Sequence, residues 1–193
     1  MSKCSLLFSG FILVTLLLCS CKNKNQEDRQ QEEIYGDNDK YYQFRELNLT
    51  AYGFNATIKI PDETTGIGAS FEPIVRHEED FKWVISAGPN FNVFIEDYGD
   101  FSTLMKDFKQ KISSSDFFTI TIMSEKNGVI SYSRKIKDNT LNQNKALAQT
   151  TYHIYASKKL GNVNYEIKNR EEGNTLKVIQ LMEKSIASLK IIK

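Results

Sequence analysis

The chain has 193 residues, with 25 lysine and arginine residues against 24 aspartate and glutamate residues. A balance this close to neutral argues against a nucleic-acid-binding protein, because such proteins carry a basic face. All three cysteines, Cys4, Cys19 and Cys21, lie within the first 21 residues. The rest of the chain therefore has no disulfide and no thiol ligand or nucleophile, and it must fold around an ordinary hydrophobic core.

The first 21 residues have the pattern of an export signal. Lys3 precedes residues 6–18, a mostly apolar run of the length expected for the core of a signal peptide. This run is shorter than the ~20 residues needed to cross a bilayer. A cleaved signal at residues 1–20 is therefore favoured over the alternative, in which the same residues form an uncleaved membrane anchor.

The end of this segment, Leu18-Cys19-Ser20-Cys21, resembles the lipobox of bacterial lipoproteins. In that family a diacylglyceryl chain is attached to the cysteine thiol, and a signal peptidase cuts just before the cysteine. The peptidase requires a small residue at the cleaved bond, which Ser20 provides for Cys21 and Leu18 does not provide for Cys19. The resemblance implies lipidation at Cys21, with acyl chains such as palmitate that hold the mature protein at a membrane.

Residues 21–40 are predicted to be a lipidated flexible tether. After Cys21 this stretch offers only Ile34 and Tyr35 as large apolar side chains, too few to offset the entropy of ordering it. As a flexible coil it would span about 25 Å. Its acidic residues could also act as a signal for export to the cell surface, as in some lipoprotein families, but a solvated spacer is favoured.

Residues 41–193 are predicted to form a single α+β domain. Alternating apolar residues and the turns between them predict strands at residues 54–61, 71–76, 81–87, 91–96, 118–123, 129–137, 151–157 and 163–167, with a last short strand at 191–192. Residues 125–128 end in Asn127-Gly128, a strong hairpin signal. A five-residue loop, residues 158–162, is predicted to join the last hairpin.

Two helices are predicted from apolar residues at helical spacing. The first covers residues 100–112 with Asp100 as its cap, and the second covers residues 174–189 with Asn174 or Thr175 as its cap. Residues 138–149 form a polar connection with one helical turn at 146–148. The predicted fold is α+β, a mostly antiparallel meandering sheet of about six or seven strands with two main helices packed on it.

The order of these elements resembles the PsbP-like fold. The resemblance rests on the extended segment Phe54–Pro61, the strand pair at residues 152–155 and 164–167, and the capped helix that contains residues 181–189. This α-β-α sandwich occurs in photosystem accessory proteins, in a nuclear transport factor family and in small bacterial lipoproteins. The resemblance implies an adaptor or assembly role and carries over no catalytic residues, because the family has no shared active site.

The best candidate for chemistry is the run His77-Glu78-Glu79-Asp80, which combines one imidazole with three carboxylates. Consecutive side chains do not converge on one point, so a site would need the fold to bring His153 to His77. An exposed charged turn and an ordinary strand histidine are the favoured interpretation. An acidic cluster of Glu96, Asp97 and Asp100 matches no calcium-loop spacing.

Other candidate sites are weaker. Residues 64–70 form a glycine-bearing loop without the lysine of a phosphate-binding loop, and no serine-hydrolase motif is present. Five aromatic residues lie where the tether meets the domain: Tyr35, Tyr41, Tyr42, Phe44 and Tyr52. They either form a docking surface or, as we favour, cover one edge of the sheet.

These observations favour a lipid-anchored protein of the bacterial cell envelope, at the outer rather than the inner membrane, that works by binding protein partners as an assembly accessory. The alternative is a protein that binds a small ligand or glycan in a pocket between sheet and helix, and a hydrolase built on His77 is the least favoured. We expect no catalytic residue, cofactor, metal or nucleic-acid partner.

Overall fold

The computed structural model describes residues 40–137 and 149–192. The export signal, Cys21, nearly all of the predicted tether and the predicted helical turn at 146–148 lie outside the described residues. Within the described ranges the chain forms ten strands and two α-helices. They are β1 (Phe44–Asn48), β2 (Ala56–Pro61), β3 (Ile74–Glu78), β4 (Lys82–Ala87), β5 (Phe91–Asp97), α1 (Leu104–Ser113), β6 (Phe118–Lys126), β7 (Val129–Ile136), β8 (Thr151–Leu160), β9 (Val163–Asn169), α2 (Leu176–Ser188) and β10 (Lys190–Ile191).

The strands form two antiparallel sheets. The larger has seven strands in the order β3-β4-β5-β9-β8-β7-β6, and the smaller has three in the order β1-β2-β10. The predicted α+β class with mostly antiparallel pairing is confirmed, with strands outweighing helices. The simple meander is broken at β5, which pairs with β9 and leaves β6 at the far edge of the sheet.

One hydrophobic core lies between the inner face of the large sheet, the small sheet and α2. We define the inner face by Trp83, Ile85, Ile95 and Ile167, which alternate along their strands with residues of the opposite, outer face. Phe54, next to the small sheet, stacks on Trp83 with ring centroids 4.9 Å apart. The remaining large, fully buried side chains include Ile58 and Ile60 of β2, Ile154 of β8, and Ile179, Met182 and Ile186 of α2.

Helix α1 begins later than the sequence pattern predicts, and α2 begins directly after one of its two predicted caps. The first helical residue of α1 is Leu104, and the position before it is Thr103, so the predicted cap Asp100 lies in the preceding turn. The side chain of Thr103 donates to Asp107 at 2.7 Å. Helix α2 begins at Leu176 after Thr175, one of the two predicted caps, but the Thr175 side chain makes no capping bond.

The hairpin turns are set by residues that adopt positive φ. Asn127 (φ 51°) and Gly128 (φ 74°) form the two-residue turn between β6 and β7 that the sequence predicts. The turn between β8 and β9 is shorter than predicted, because Leu160 pairs directly with Val163 and only two residues remain between them.

Candidate functional site

Helix α1 packs on the outer face of the large sheet, on the side opposite α2. The Phe108 ring of α1 stacks parallel to the Tyr155 ring of β8, with centroids 3.7 Å apart. The Tyr155 hydroxyl donates to the carbonyl oxygen of Leu104 at 3.2 Å, in the first turn of the helix. These two contacts fix α1 to β8.

A cleft opens between α1 and the outer face of strands β6 to β9, and we call it the α1 cleft. Its volume is about 610 Å³, which lies in the range of small-molecule sites. Its apolar lining comes from α1, the loops on either side of it and the strands beneath, and includes Phe101, Leu104, Phe108, Ile112, Phe117, Phe118, Ile120 and Tyr132. Polar and charged side chains from α1, from β7, β8 and β9, and from the adjoining loops complete the walls.

His153 lies buried in the floor of the α1 cleft. It faces Tyr132 across the β7–β8 pairing, and the two rings stack with centroids 5.2 Å apart. Its Nε2 atom lies 2.9 Å from the hydroxyl of Thr151. Burial, with a further contribution from the positive charge of Arg134, lowers the pKa of His153 to about 4. The imidazole is therefore neutral at pH 7, and burial likewise raises the pKa of Tyr132 to about 12.

Arg134 is a mostly buried cation in the wall of the cleft. Its side chain is 20% exposed, and its guanidinium carbon lies 4.5 Å from the centroid of the Phe118 ring. One terminal nitrogen donates to the backbone carbonyl of Glu171. The other lies 3.9 Å from the Glu171 carboxylate, whose side chain is 87% exposed.

Lys168, the second cation on this part of the sheet, is held by carboxylates. Its Nζ atom donates to Glu166 at 2.6 Å and lies 3.4 Å from Glu96, and Lys82 lies 3.8 Å from the same Glu96. Burial lowers the pKa of Lys168, but the hydrogen bonds and negative charges of Glu166 and Glu96 outweigh it and raise the pKa overall. The two lysines and two glutamates form a cross-strand network in which positive and negative charges are equal in number.

The two histidines singled out from the sequence are not brought together. His77 lies in β3, on the inner-face side, where its ring stacks on Trp83 with centroids 4.7 Å apart. His153 is on the outer face and four strand spacings away, about 19 Å. Glu78 is the last residue of β3 and pairs with Arg76 at 3.0 Å. In residues 40–137 and 149–192, no group of three or more His, Cys, Asp or Glu is placed to hold a metal ion.

The predicted acidic cluster is divided among structural roles. Glu96 pairs with Lys168 and Lys82 on the outer face. Asp97 accepts a hydrogen bond from the backbone of Gly99 at 2.7 Å and so closes the turn after β5.

The glycine-bearing loop begins with the short helical turn Glu63–Thr65, which Asp62 caps by accepting from the Thr64 backbone at 2.8 Å.

Most of the aromatic residues at the start of the domain contribute to packing. Tyr41 is buried, and its ring meets Phe44 edge-on with centroids 5.4 Å apart. The backbone carbonyl of Tyr52 accepts a hydrogen bond from the Trp83 indole at 2.7 Å. Tyr42 is exposed, and Tyr35 lies outside the described residues.

Apart from His153, the residues that line the α1 cleft were not singled out from the sequence. One signal was present: in β7, Ile130, Tyr132 and Arg134 share a face, so the alternation places a charged residue in an otherwise apolar row. The neighbours of that row become apparent only from the strand register, which places Ile120 of β6 opposite Arg134 and His153 of β8 opposite Tyr132.

Comparisons with known proteins do not assign the chain to a family. A scan against protein-family models and a search of the curated proteins both find no match for the chain. Neither α1 nor α2, the helices in the part of the chain that the structure describes, is long and apolar enough to cross a membrane.

Proposed function

We propose that this chain is a lipid-anchored protein of the bacterial envelope that binds a small ligand in the α1 cleft. Of the two binding functions that the sequence predicts, the cleft favours the one that uses a pocket between sheet and helix. The observation that carries the proposal is a concave space of about 610 Å³ with aromatic walls and a few converging polar groups.

The surroundings of the cleft support a fixed binding site. Three of its strands, β7, β8 and β9, are paired on both sides within the large sheet. The stacking of Phe108 on Tyr155 and the hydrogen bond from Tyr155 to Leu104 hold the helix that forms the opposite wall. Walls that are already in place lower the entropic cost of ordering side chains when a ligand binds.

Two exposed phenylalanines provide a matched test of the cleft. Phe117 lines the cleft and is 78% exposed, whereas Phe71 is 72% exposed and lies outside it. We expect the full chain isolated from its own envelope to carry a small molecule in native mass spectrometry. Phe117→Ala should reduce its occupancy several-fold and Phe71→Ala should leave it unchanged, since neither change disturbs the core. Equal occupancy in both variants, or no bound molecule on the wild type, would contradict the proposal.

The anchor is proposed at Cys21, on the strength of the lipobox resemblance. The tether would then let the domain reach about 25 Å from its membrane. We expect Cys21→Ala to move the protein from the membrane fraction to the soluble fraction, whereas Cys19→Ala should leave it at the membrane. If the Cys21→Ala protein still pellets with membranes, the N-terminal segment is an uncleaved anchor and the lipobox interpretation is wrong.

The PsbP-like arrangement also remains a proposal. It is supported by the placement of α1 and α2 on opposite faces of the seven-stranded sheet, which gives the helix–sheet–helix layering of that fold. The three-stranded sheet that packs beside α2 is an addition to this layering.

A protein-binding role keeps one specific observation in its favour. Strand β3 is an edge of the large sheet, and apolar side chains are exposed on and beside it: Ile74, Phe71 and Phe81. Exposed apolar edge strands can accept a strand from another protein. In a cross-linked pull-down from the envelope, Ile74→Lys should lose a stoichiometric partner that the wild type retains. Retention of the same partner by Ile74→Lys would exclude this edge.

A further inference from the structure

We infer that the ligand of the α1 cleft is a small organic monoanion, an apolar and ring-sized body that carries one carboxylate, and that Arg134 binds the carboxylate. The inference rests on the proposed function, since it names the ligand class of the same cleft. It is carried by the position of Arg134 in the wall of the cleft and by the incomplete pairing of its guanidinium.

Arg134 is a partly buried charge with weak compensation. Only 20% of its side chain is exposed, and a cation taken out of water is costly unless it is paired and hydrogen-bonded. The nearest carboxylate, that of Glu171, is 3.9 Å from it and 87% exposed, so the distance is too long for a hydrogen bond and solvent screens the attraction. The backbone carbonyl of Glu171 takes one N–H of the five that a guanidinium offers.

The other cations that line the cleft are engaged differently. Lys168 is matched by the two carboxylates of Glu166 and Glu96. Arg170 donates to the backbone carbonyls of Gly173 at 3.0 Å and Pro89 at 3.4 Å. Lys111, the fourth lining cation, is exposed on α1, so solvent screens its charge. Arg134 thus combines a largely enclosed side chain with guanidinium donors that its hydrogen bond to Glu171 leaves unused. A planar guanidinium with two free donors recognises a carboxylate in a bidentate manner.

The charge of the whole lining limits the ligand to a single negative charge. The lining side chains comprise four basic and four acidic residues, so a polyanion would meet as much repulsion as attraction. His153 adds no positive charge near pH 7, because burial lowers its pKa to about 4. One incompletely paired guanidinium therefore matches one carboxylate.

The surroundings of Arg134 define the apolar body. The Phe118 ring lies against the guanidinium, and Tyr132 and Phe108 lie next to each other with ring centroids 5.6 Å apart. Aromatic side chains in this arrangement offer faces and edges on which a flat ring can stack. The carboxylate and the ring of the ligand would thus be bound by neighbouring parts of the same cleft.

Two probes that share a ring test the charge directly. 2-Naphthylacetate and 2-(2-naphthyl)ethanol differ in carrying a carboxylate or a hydroxymethyl group. Calorimetric titrations would use the full mature chain with Cys21→Ala, which needs no detergent. We expect the carboxylate to bind about tenfold more tightly or better, as a charge-assisted hydrogen bond predicts. The preference should weaken as salt is raised.

Variants assign the preference to Arg134. Arg134→Gln should bind the two probes about equally, and Arg134→Lys should retain only part of the preference because it lacks the planar fork. Arg76→Gln is the matched control, since Arg76 is an exposed arginine of β3 outside the cleft. It should retain the wild-type preference.

The possible outcomes distinguish a failure of the carboxylate inference from a failure of the proposed function. If the wild type binds both probes equally, the carboxylate inference is overturned while the cleft remains a binding site. If Arg134→Gln folds and keeps the preference, the assignment to Arg134 is wrong. If neither probe binds and native mass spectrometry finds no small molecule on the wild type, the proposed function itself is overturned.

Discussion

At the scale of single residues, His153 makes the stability of the protein depend on pH. Its pKa is lowered to about 4 by burial and by Arg134, whereas an unfolded histidine titrates near 6.5. The unfolded state therefore binds this proton more readily than the folded state. The free energy of unfolding should be highest above pH 6.5 and fall by about 3 kcal/mol as the pH drops to 4.

Chemical denaturation at a series of pH values measures this effect. His153→Gln should remove most of the slope between pH 6.5 and 4.5, whatever its own stability at pH 7. His77→Asn is the control, because His77 is exposed and should leave the slope unchanged. A slope that survives in His153→Gln would show that other groups control the acid response.

The location of His153 in a strand follows from the sequence, but its burial does not. The alternation of residues 151–157 places Thr151, His153 and Tyr155 on one face, and the structure has them there. What covers the imidazole is the turn around Gly173, 20 residues further along the chain. The residue pattern around His153 carries no information about a contact with a turn so far along the chain.

At the scale of elements, the turn between β9 and α2 depends on Gly173. Its φ is +80°, and a Cβ added there would lie 2.7 Å from the Cβ of Thr151 and 2.8 Å from Nε2 of His153. Gly161, in the turn between β8 and β9, also has positive φ (+64°), but an added Cβ would meet nothing within 4 Å. A side chain at either position would strain the backbone, but only at Gly173 would it also overlap with neighbouring atoms. Substitution of the two glycines therefore distinguishes the cost of backbone strain from the cost of steric overlap.

We expect Gly161→Ala to cost about 1 kcal/mol, from the left-handed backbone alone. Gly173→Ala adds overlap with β8 and should cost about 2–4 kcal/mol in total. Thermal and denaturant unfolding of both variants measure the difference. Equal losses of stability in the two variants would mean that the turn can move away from His153 at no cost in free energy.

Elements with strong periodicity are predicted well, and their ends are not. The strands of the large sheet and the Asn127-Gly128 turn follow from alternation and turn chemistry. Helix α1 starts four residues after its predicted cap, because the backbone of Phe101 bonds to Tyr98 at 3.1 Å and closes a separate turn. Strand β1 was not predicted, since its residues Phe44–Asn48 alternate poorly and are ordered by pairing with β2.

At the scale of the whole molecule, α2 joins the two sheets into one core. Met182 is fully buried in the cluster that contains residues of β2 and of the large sheet. Met182→Ala should destabilise the protein by about 2–5 kcal/mol. It should do so in a single transition, because neither sheet keeps its core without the helix.

Leu176, at the exposed start of the same helix, is the control. It has an exposed side chain, so Leu176→Ala should cost less than about 1 kcal/mol. Two separate unfolding transitions in the Met182→Ala protein would contradict a shared core.

A pocket between sheet and helix was one of the two binding functions expected from the sequence, but its lining is a property of the whole molecule and for this reason was not predicted. The sequence predicts helix α1 and strands β6 to β9 separately. Arg134 becomes notable only when β6 brings Phe118 beside it and α1 covers the same face. The charged run at residues 77–80 is prominent in the sequence, but it lies at an edge strand away from the cleft.

The most direct test of the α1 cleft as a binding site is a map of amide chemical-shift changes as 2-naphthylacetate is added to the full mature Cys21→Ala chain. We expect the changes to concentrate on α1 and on the outer-face residues of β6 to β9 around Arg134 and Phe118. Changes centred on β3, or on the small sheet and Trp83, would place binding elsewhere and contradict the α1 cleft as the functional site.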